Sequence, residues 1–95
     1  MTEGYLVGAF SLGQVVVTPN CLQVAEEEKI ALIRLLARHA ACDWGDLCKE
    51  DKQANDEAIG KTLRILSAYK VGNRKIWIIT EADRSSTCIM LPEDY

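Results

Sequence analysis

The apolar positions of the chain follow two different periods. From about residue 19 to residue 60 they recur every three or four positions, which is typical of helices with one apolar side. After residue 61 they alternate with polar positions, which is typical of strands. This order predicts an α+β fold, in which two or three helices pack on an antiparallel sheet of three to four strands.

The chain begins with two β-type runs. Residues 5–10 and 14–17 are rich in β-branched and aromatic side chains and predict two short strands. Thr18-Pro19 then predicts the start of a short helix that extends to about Val24. The threonine is the expected N-cap, and the proline occupies the first helical position, where its missing N–H costs nothing.

The main helix is predicted to run from about Glu26 to Ala41. The pattern places Glu26, Glu27 and Glu28 at its positive end, where the helix dipole favours carboxylates. A further helix is predicted from about Cys48 to Ile59, with Gly60 as its stop signal. The apolar stripe of the main helix consists of Ile30, Ile33, Ala37 and Ala40.

The last third of the chain predicts a β-meander. Alternation begins at Thr62, breaks at the turn signal Gly72-Asn73, and resumes from Ile76 to Ala82. A second turn at residues 83–85 leads to a third strand, residues 86–91. Both sides of these strands are rather apolar, so we expect another chain, such as the second copy of a homodimer, to cover the face opposite the helices.

Length and composition favour one domain, residues 1–95, since 48% apolar residues can form one core. No apolar run approaches the roughly 18–20 residues of a membrane span, and no basic and apolar leader is visible. We therefore expect a cytoplasmic protein without membrane contact. Four cysteines without a standard metal spacing predict reduced thiols, no metal and no cofactor.

The net charge of −3 is unevenly distributed: residues 1–60 carry −5 and residues 61–95 carry +2. Phosphate contacts need a surplus of lysine and arginine on one face, so the acidic total makes nucleic-acid binding an unfavoured interpretation. A small basic site on the predicted sheet stays open.

Several segments stand out together: His39, Asp43-Trp44-Gly45-Asp46, Asp51, Asn55, Arg64-Ile65-Leu66-Ser67, the run Trp77 to Ser85, and the ending Leu91 to Tyr95. Over residues 10–95 they resemble a small family of uncharacterised proteins found on plasmids, phages and other mobile segments of bacterial genomes. The resemblance implies a mobile-element context without an activity. Cys42 and Cys88 depart from the family pattern, which has glycine and threonine there, so it assigns no chemistry to these thiols.

The first candidate site combines His39 with Asp43 and Asp46. A histidine can act as a general base, and a neighbouring carboxylate can orient it. Two carboxylates three positions apart can also bind a hard cation. The alternative is structural: His39 completes a helix C-terminus, Asp43 caps a turn, and Asp46 caps the next helix.

The second candidate site is the polar turn that contains Glu81, Asp83 and Arg84. Its charged groups and hydroxyls can bind a phosphate. Equally, Asp83 is an ordinary turn residue, and Glu81 can pair with Arg84 or Arg64 across the strands. Trp77 shares the strand with Glu81 and places aromatic surface beside an acidic group.

The third candidate is basic and lies on the meander, with aromatic residues between the charges. Its strand and helix order is similar to that of toxin ribonucleases of the RelE/ParE type, a likeness at fold level that carries no activity. In that hypothesis His39 is the base, and Arg84 or Arg64 stabilises phosphate charge. The cations of this group are Arg64, Lys70, Arg74, Lys75 and Arg84.

These observations leave two main function classes. The leading hypothesis is a non-catalytic protein-interaction module of mobile-element origin, one form of which is an anti-CRISPR or anti-restriction inhibitor of a host defence component. Its expected binding residues are Trp77, Glu81, Asp83, Arg84, Glu26, Glu27 and Glu28. The alternative is a small ribonuclease or toxin-type nucleic-acid-binding protein, with His39, Asp43, Asp46, Arg64 and Arg84 as catalytic candidates. A homo-oligomer subunit without another role is the third interpretation.

Overall fold

The structure, a computed structural model, describes residues 10–95. It contains three α-helices, four strands and a short C-terminal 3₁₀ turn. The helices are α1 (Pro19–Glu28), α2 (Leu32–Ala40) and α3 (Lys49–Ile59), and the strands are β1 (Gln14–Val17), β2 (Ile65–Val71), β3 (Arg74–Thr80) and β4 (Ser86–Met90). The 3₁₀ turn spans Pro92–Asp94. The predicted α+β fold is confirmed, while most of the expected strand at residues 5–10 lies outside the described residues.

The strands form one sheet in the order β1-β4-β3-β2. The meander predicted from residue 62 onward is present, with β2, β3 and β4 paired antiparallel. In contrast to the antiparallel expectation, β1 pairs parallel with β4, so that Val15 lies beside Thr87. The connection from β1 to β4 passes through all three helices, and therefore no tight turn imposes an antiparallel direction on this pair.

All three helices contribute to the core against one face of the sheet. Alternate residues of β2 and β3, such as Tyr69, Ile76 and Ile78, are almost fully buried on this face. The main cluster comprises Cys21, Val24, Leu35, Leu36, Tyr69, Ile76, Ile78, Ile89 and Leu91. A second cluster at the other end of the sheet contains Trp44, Ala58 and Ile65, with Phe10 packed against it.

The prediction of a single long helix from Glu26 to Ala41 is wrong. The first helix continues to Glu28 and ends because Lys29 adopts a left-handed conformation, with φ 56° and its N–H bound to the Ala25 carbonyl. Ile30 then donates its own N–H to the same carbonyl and turns its side chain toward the core. As a result Ile33, assigned to the predicted stripe, is 60% exposed.

The break also corrects the electrostatic argument for the acidic triplet. Glu26, Glu27 and Glu28 lie in the last turn of α1, at the negative end of a helix dipole. The dipole does not stabilise them there. Glu28 is instead paired with Arg74 of β3, with Nε and Oε2 2.6 Å apart.

The other helix predictions agree with the structure. Thr18 caps α1, since its hydroxyl accepts the N–H of Cys21 at 3.2 Å. The helix from Lys49 to Ile59 has Cys48 as its N-cap and Gly60 as its C-cap. None of the helices in residues 10–95 combines the length and the apolar sequence that a membrane span requires.

Candidate binding site

His39 lies in the last turn of α2 and is completely buried beneath the sheet. Its Nδ1 contacts the Ser67 hydroxyl at 2.5 Å, and its Nε2 contacts the Thr80 hydroxyl at 2.8 Å. The Thr80 hydroxyl also bonds that of Thr87 at 2.8 Å, and Thr87 donates to the Leu12 carbonyl at 2.7 Å. A chain of hydrogen bonds thus crosses the sheet from Ser67 of β2 to Leu12, which lies two residues before β1.

The carbonyl at the end of this chain fixes its direction. The Leu12 oxygen only accepts, so the single hydroxyl hydrogen of Thr87 is used there, and Thr80 donates to Thr87. Thr80 then accepts from Nε2–H of His39, which leaves Nδ1 to accept from Ser67. Burial lowers the pKa of His39 from 6.5 to about 4, so the ring is neutral at pH 7. Both ring nitrogens are engaged inside the protein, and neither faces solvent.

Asp43 of the first candidate site lies on the surface and supports a turn. Its carboxylate pairs with Arg38, with Oδ2 2.6 Å from Nε, and accepts the N–H of Gly45 at 3.2 Å. The hydrogen bond from Arg38 holds the pKa of Asp43 below its usual range. The backbone carbonyl of Asp43 accepts the hydroxyl of Tyr69 at 2.7 Å, which ties the turn to β2.

Asp46 does not cap the next helix as expected; it covers the outer edge of β2. Its carboxylate accepts the N–H of Lys70 at 2.6 Å, and its own N–H donates to the Ala68 carbonyl at 2.7 Å. The N–H of Ala68 donates to the Trp44 carbonyl at 3.2 Å. Gly45 makes this approach geometrically feasible, because a Cβ on it would lie 2.1 Å from the Ala68 oxygen.

Asn55 of α3 completes the cover of this edge. Its side-chain amide donates to the Leu66 carbonyl at 2.6 Å, and its oxygen accepts the Leu66 N–H at 3.2 Å. The amide therefore replaces one residue of a neighbouring strand. Sheet edges with unpaired backbone groups promote aggregation, so Asn55 together with the loop at Asp46 protects β2.

Arg84, in a left-handed conformation with φ 61°, holds the second candidate site together. Within the part of the chain that the structure describes, its guanidinium binds no side-chain carboxylate and instead donates to five backbone carbonyls between α3 and the meander. Nη1 bonds Leu63 (2.6 Å), Glu81 (3.1 Å) and Ala82 (3.2 Å), and Nη2 bonds Ala58 (2.8 Å) and Lys61 (3.1 Å). These bonds engage both Nη groups, which a phosphate bound by the end of the guanidinium would need.

The other charged groups near this turn are also paired. The carboxylate of Asp83 accepts the N–H of Ser85 at 3.0 Å, as in an ordinary Asx turn. Glu81 pairs with Arg64, with Oε1 and Nη2 3.2 Å apart, which confirms the cross-strand alternative. Arg64 also donates to the Tyr95 hydroxyl at 2.9 Å.

The catalytic candidates therefore do not form one cleft. His39 is enclosed in the core, Asp43 and Asp46 brace the loop before α3, and Arg64 and Arg84 bind groups around the second turn of the meander. Each polar head makes a hydrogen bond or ion pair with the protein itself. Among residues 10–95, no group of three or more histidine, cysteine or acidic side chains could hold a metal ion.

A groove lies on the open face of the sheet, opposite the helices. It is lined in part by charged side chains that form none of the ion pairs described above. Its volume is about 610 Å³, within the roughly 300–1,000 Å³ typical of ligand sites. The sheet supplies Trp77, Lys70 and Lys75, and the loop before α3, together with the first turn of α3, supplies the opposite wall. The lining is completed by Asp46, Leu47, Asp51, Leu66, Ala68, Tyr69 and Pro92.

The sequence pattern placed Trp77 among the cations of the meander but did not distinguish Lys70 and Lys75 from the other three cations. Of those cations, Arg64 and Arg74 form ion pairs and Arg84 binds carbonyls. The hairpin register contained the missing signal: residues equidistant from the Gly72-Asn73 turn pair across it, which puts Lys70, Lys75 and Trp77 on one face.

Comparisons with known proteins do not extend this description. No family model, no curated protein and no solved structure matches the chain.

Proposed function

We propose that the protein is a non-catalytic protein-interaction module and that its partner docks in the groove on the open sheet face. The observation that carries this proposal is the contrast between two sets of polar groups. The polar side chains that suggested catalysis are bound within the fold, whereas Lys70, Lys75 and Trp77 line an accessible groove. A half-buried indole beside charged groups is typical of protein-binding surfaces.

The proposed context is a bacterial mobile element, as the resemblance of the motifs implies. One form of the function is inhibition of a host defence component of the CRISPR or restriction type. The acidic N-terminal part of the chain supports this form, since acidic surfaces can compete with DNA for basic grooves. The exposed carboxylates at the end of α1 then provide a second docking surface.

Quantitative affinity capture from a bacterial host tests the proposal. The full chain is compared with Lys75→Glu in the groove and Lys49→Glu on α3, two substitutions with the same change of charge. We expect a partner that the wild-type chain and Lys49→Glu enrich equally and that Lys75→Glu loses. Equal recovery by all three proteins contradicts docking in the groove.

A third variant, Glu26→Lys with Glu27→Lys, tests the acidic end of α1. Glu28 is left unchanged because it pairs with Arg74 and supports the fold. If only this variant loses the partner, the docking surface is the end of α1 and not the groove. In a host with an active restriction system, loss of plasmid protection in the same variant supports the anti-defence form.

The alternative, a ribonuclease or toxin-type nucleic-acid-binding protein, needs a different experiment. His39 and Arg84 support the fold, so a lost growth effect after their substitution does not distinguish catalysis from folding. Arg64 is half exposed, and its replacement leaves the core intact. RNA cleavage by the purified chain that Arg64→Ala abolishes, without a loss of thermal stability, supports the alternative and contradicts our proposal.

A further inference from the structure

The groove contains two cations directly opposite each other. Lys70 of β2 and Lys75 of β3 are partners in the antiparallel register, and both line the groove. Like charges at directly opposite positions are destabilising. Within residues 10–95 neither ammonium group forms an ion pair. Among the described residues the two lysines thus form an unfavourable pair, which a carboxylate placed between them would stabilise.

The next pair along the hairpin is apolar. Ala68 lies opposite Trp77, on the same face as the lysines and two residues away from them on each strand. The indole is packed edge-on against Tyr95, with the ring centroids 6.0 Å apart. Positions two residues apart on one strand are about 6.6–6.8 Å apart. An extended ligand chain has the same spacing between side chains that point to one side.

The opposite wall limits the charge of the ligand. Asp46 and Asp51 line the groove across from the sheet, and the Asp46 carboxylate is held there by the Lys70 N–H. A nucleic acid carries a phosphate at every step and would bring negative charge against both aspartates. A peptide can instead present one carboxylate to the lysines and leave the rest of the groove to neutral groups.

We infer that the groove binds a short extended peptide segment of a partner protein, in which an acidic residue and a large apolar residue are two positions apart. The carboxylate lies between Lys70 and Lys75, and the apolar side chain lies on Ala68 and Trp77. This inference rests on the proposed function, because it names the chemistry of the segment that docks.

Peptide probes with matched composition test the inference by ¹⁵N NMR titration of the full chain. The first probe is acetyl-Ser-Asp-Ser-Phe-Ser-Asp-Ser-amide, which has the required spacing in both chain directions. The second, acetyl-Ser-Ser-Asp-Phe-Asp-Ser-Ser-amide, has the same composition, but each aspartate is directly next to the phenylalanine. The third replaces both aspartates of the first with lysine.

We expect saturable shifts of the Trp77 indole N–H and of the backbone amides of Ala68 and Lys75 with the first probe. The second probe should bind about fivefold more weakly and the third about tenfold more weakly, since electrostatic complementarity sets the preference. Binding of the lysine probe that equals or exceeds that of the first probe overturns the inference. So do shifts confined to another surface, or the absence of saturable binding by the first probe.

Lys75→Glu separates binding from folding. The substitution replaces the opposed cations with a cross-strand ion pair, so the melting temperature should stay the same or rise while binding of the first probe falls about tenfold or more. Lys49→Glu on α3 should bind like the wild type. Undiminished binding by Lys75→Glu overturns the inference. If a captured partner depends on Lys75 and the first probe fails to bind, only the peptide chemistry is wrong; if the partner is indifferent to Lys75, the proposed function fails too.

Discussion

At the scale of single residues, the charged groups that most resemble catalytic ones hold backbone segments together. Arg84 is the strongest case, because five carbonyls share its guanidinium. A lysine has no planar fork of donors and cannot reproduce this arrangement. The residue joins the end of α3 to the turn before β4, so its contribution is to stability.

Replacing Arg84 by alanine should lower the free energy of unfolding by about 1–3 kcal/mol, because five carbonyls, three of them in part-buried hydrogen bonds, lose their donor. Arg84→Gly relieves the positive φ and should lose a similar amount, which separates the hydrogen bonds from backbone strain. Urea unfolding measures both, with the exposed Arg34→Ala as the control. A glycine variant as stable as the wild type contradicts this assignment.

His39 gives the protein a specific dependence on pH. The pKa of His39 is 6.5 when the side chain is solvated, as in the unfolded chain, and about 4 in the folded protein. Between these pH values the unfolded chain therefore binds the proton more readily. The stabilisation that neutral His39 contributes is therefore fully present above about pH 6.5 and is lost as the pH falls toward 4. From pH 7 to pH 5 the loss from this group should be about 2 kcal/mol.

Urea unfolding at the two pH values measures this loss, and His39→Gln provides the control, since glutamine does not titrate. The comparison between pH 7 and pH 5 avoids the range in which Asp43 and Asp94 become protonated, because hydrogen bonds lower the pKa of both carboxyls. An equal loss in the variant and the wild type contradicts the assignment to His39.

At the scale of elements, the end of α1 explains the main error of sequence interpretation. The apolar residues on both sides of Lys29 continue a helical period, so periodicity alone joins the last turn of α1 to α2 and places the break before Glu26. The break depends on Ile30 and Leu32 packing against the core, a tertiary contact that no local pattern contains. Lysine is also not a typical residue for a left-handed position.

Glycine at this position should therefore stabilise the protein. Lys29→Gly removes the cost of a left-handed Cβ and should raise the free energy of unfolding by about 0.5–1 kcal/mol. Lys29→Ala keeps the Cβ and removes the charge, so it serves as the matched control and should give no gain. Thermal unfolding measures the difference, and equal stability of the two variants contradicts the argument.

The meander was predicted well because alternation and turn residues are local signals. Gly72-Asn73 fixes the register of β2 and β3, and the register determines which side chains share a face. The protection of the β2 edge could not be predicted from such local signals. Asn55 looks like an ordinary polar residue of α3, and only the packing of this helix shows that its amide bonds both backbone groups of Leu66.

Asn55→Asp should expose this edge. The second carboxylate oxygen would face the Leu66 carbonyl, so we expect a loss of about 2 kcal/mol in urea unfolding and faster aggregation on warming. Asn73→Asp, in the exposed turn between β2 and β3, makes the same chemical change as a control. If light scattering shows no difference between the two variants, the edge is protected by the loop at Asp46 alone.

At the scale of the whole molecule, the two ends of the described chain meet at the sheet. The parallel pairing of β1 with β4 joins residues more than 70 positions apart, and β1 pairs with one strand only among residues 10–95. Asp94, after β4, reinforces this junction. Its carboxylate accepts from the Thr18 hydroxyl at 2.6 Å, from Asn20 at 2.9 Å and from the Leu91 N–H at 3.2 Å.

This arrangement predicts a local effect of Asp94→Ala. Amide hydrogen exchange should accelerate in β1 and in the first turn of α1, where Thr18 and Asn20 lose their partner, and should change little in the β2–β3 hairpin. Glu93→Ala, next to it in the same 3₁₀ turn, is the matched control and should leave exchange unchanged. Uniform acceleration across all four strands would instead mean that β1 opens only with the whole sheet. Selective opening would show that the long-range pairing of β1 depends on the Asp94 carboxylate, while the hairpin that forms the groove is stable without it.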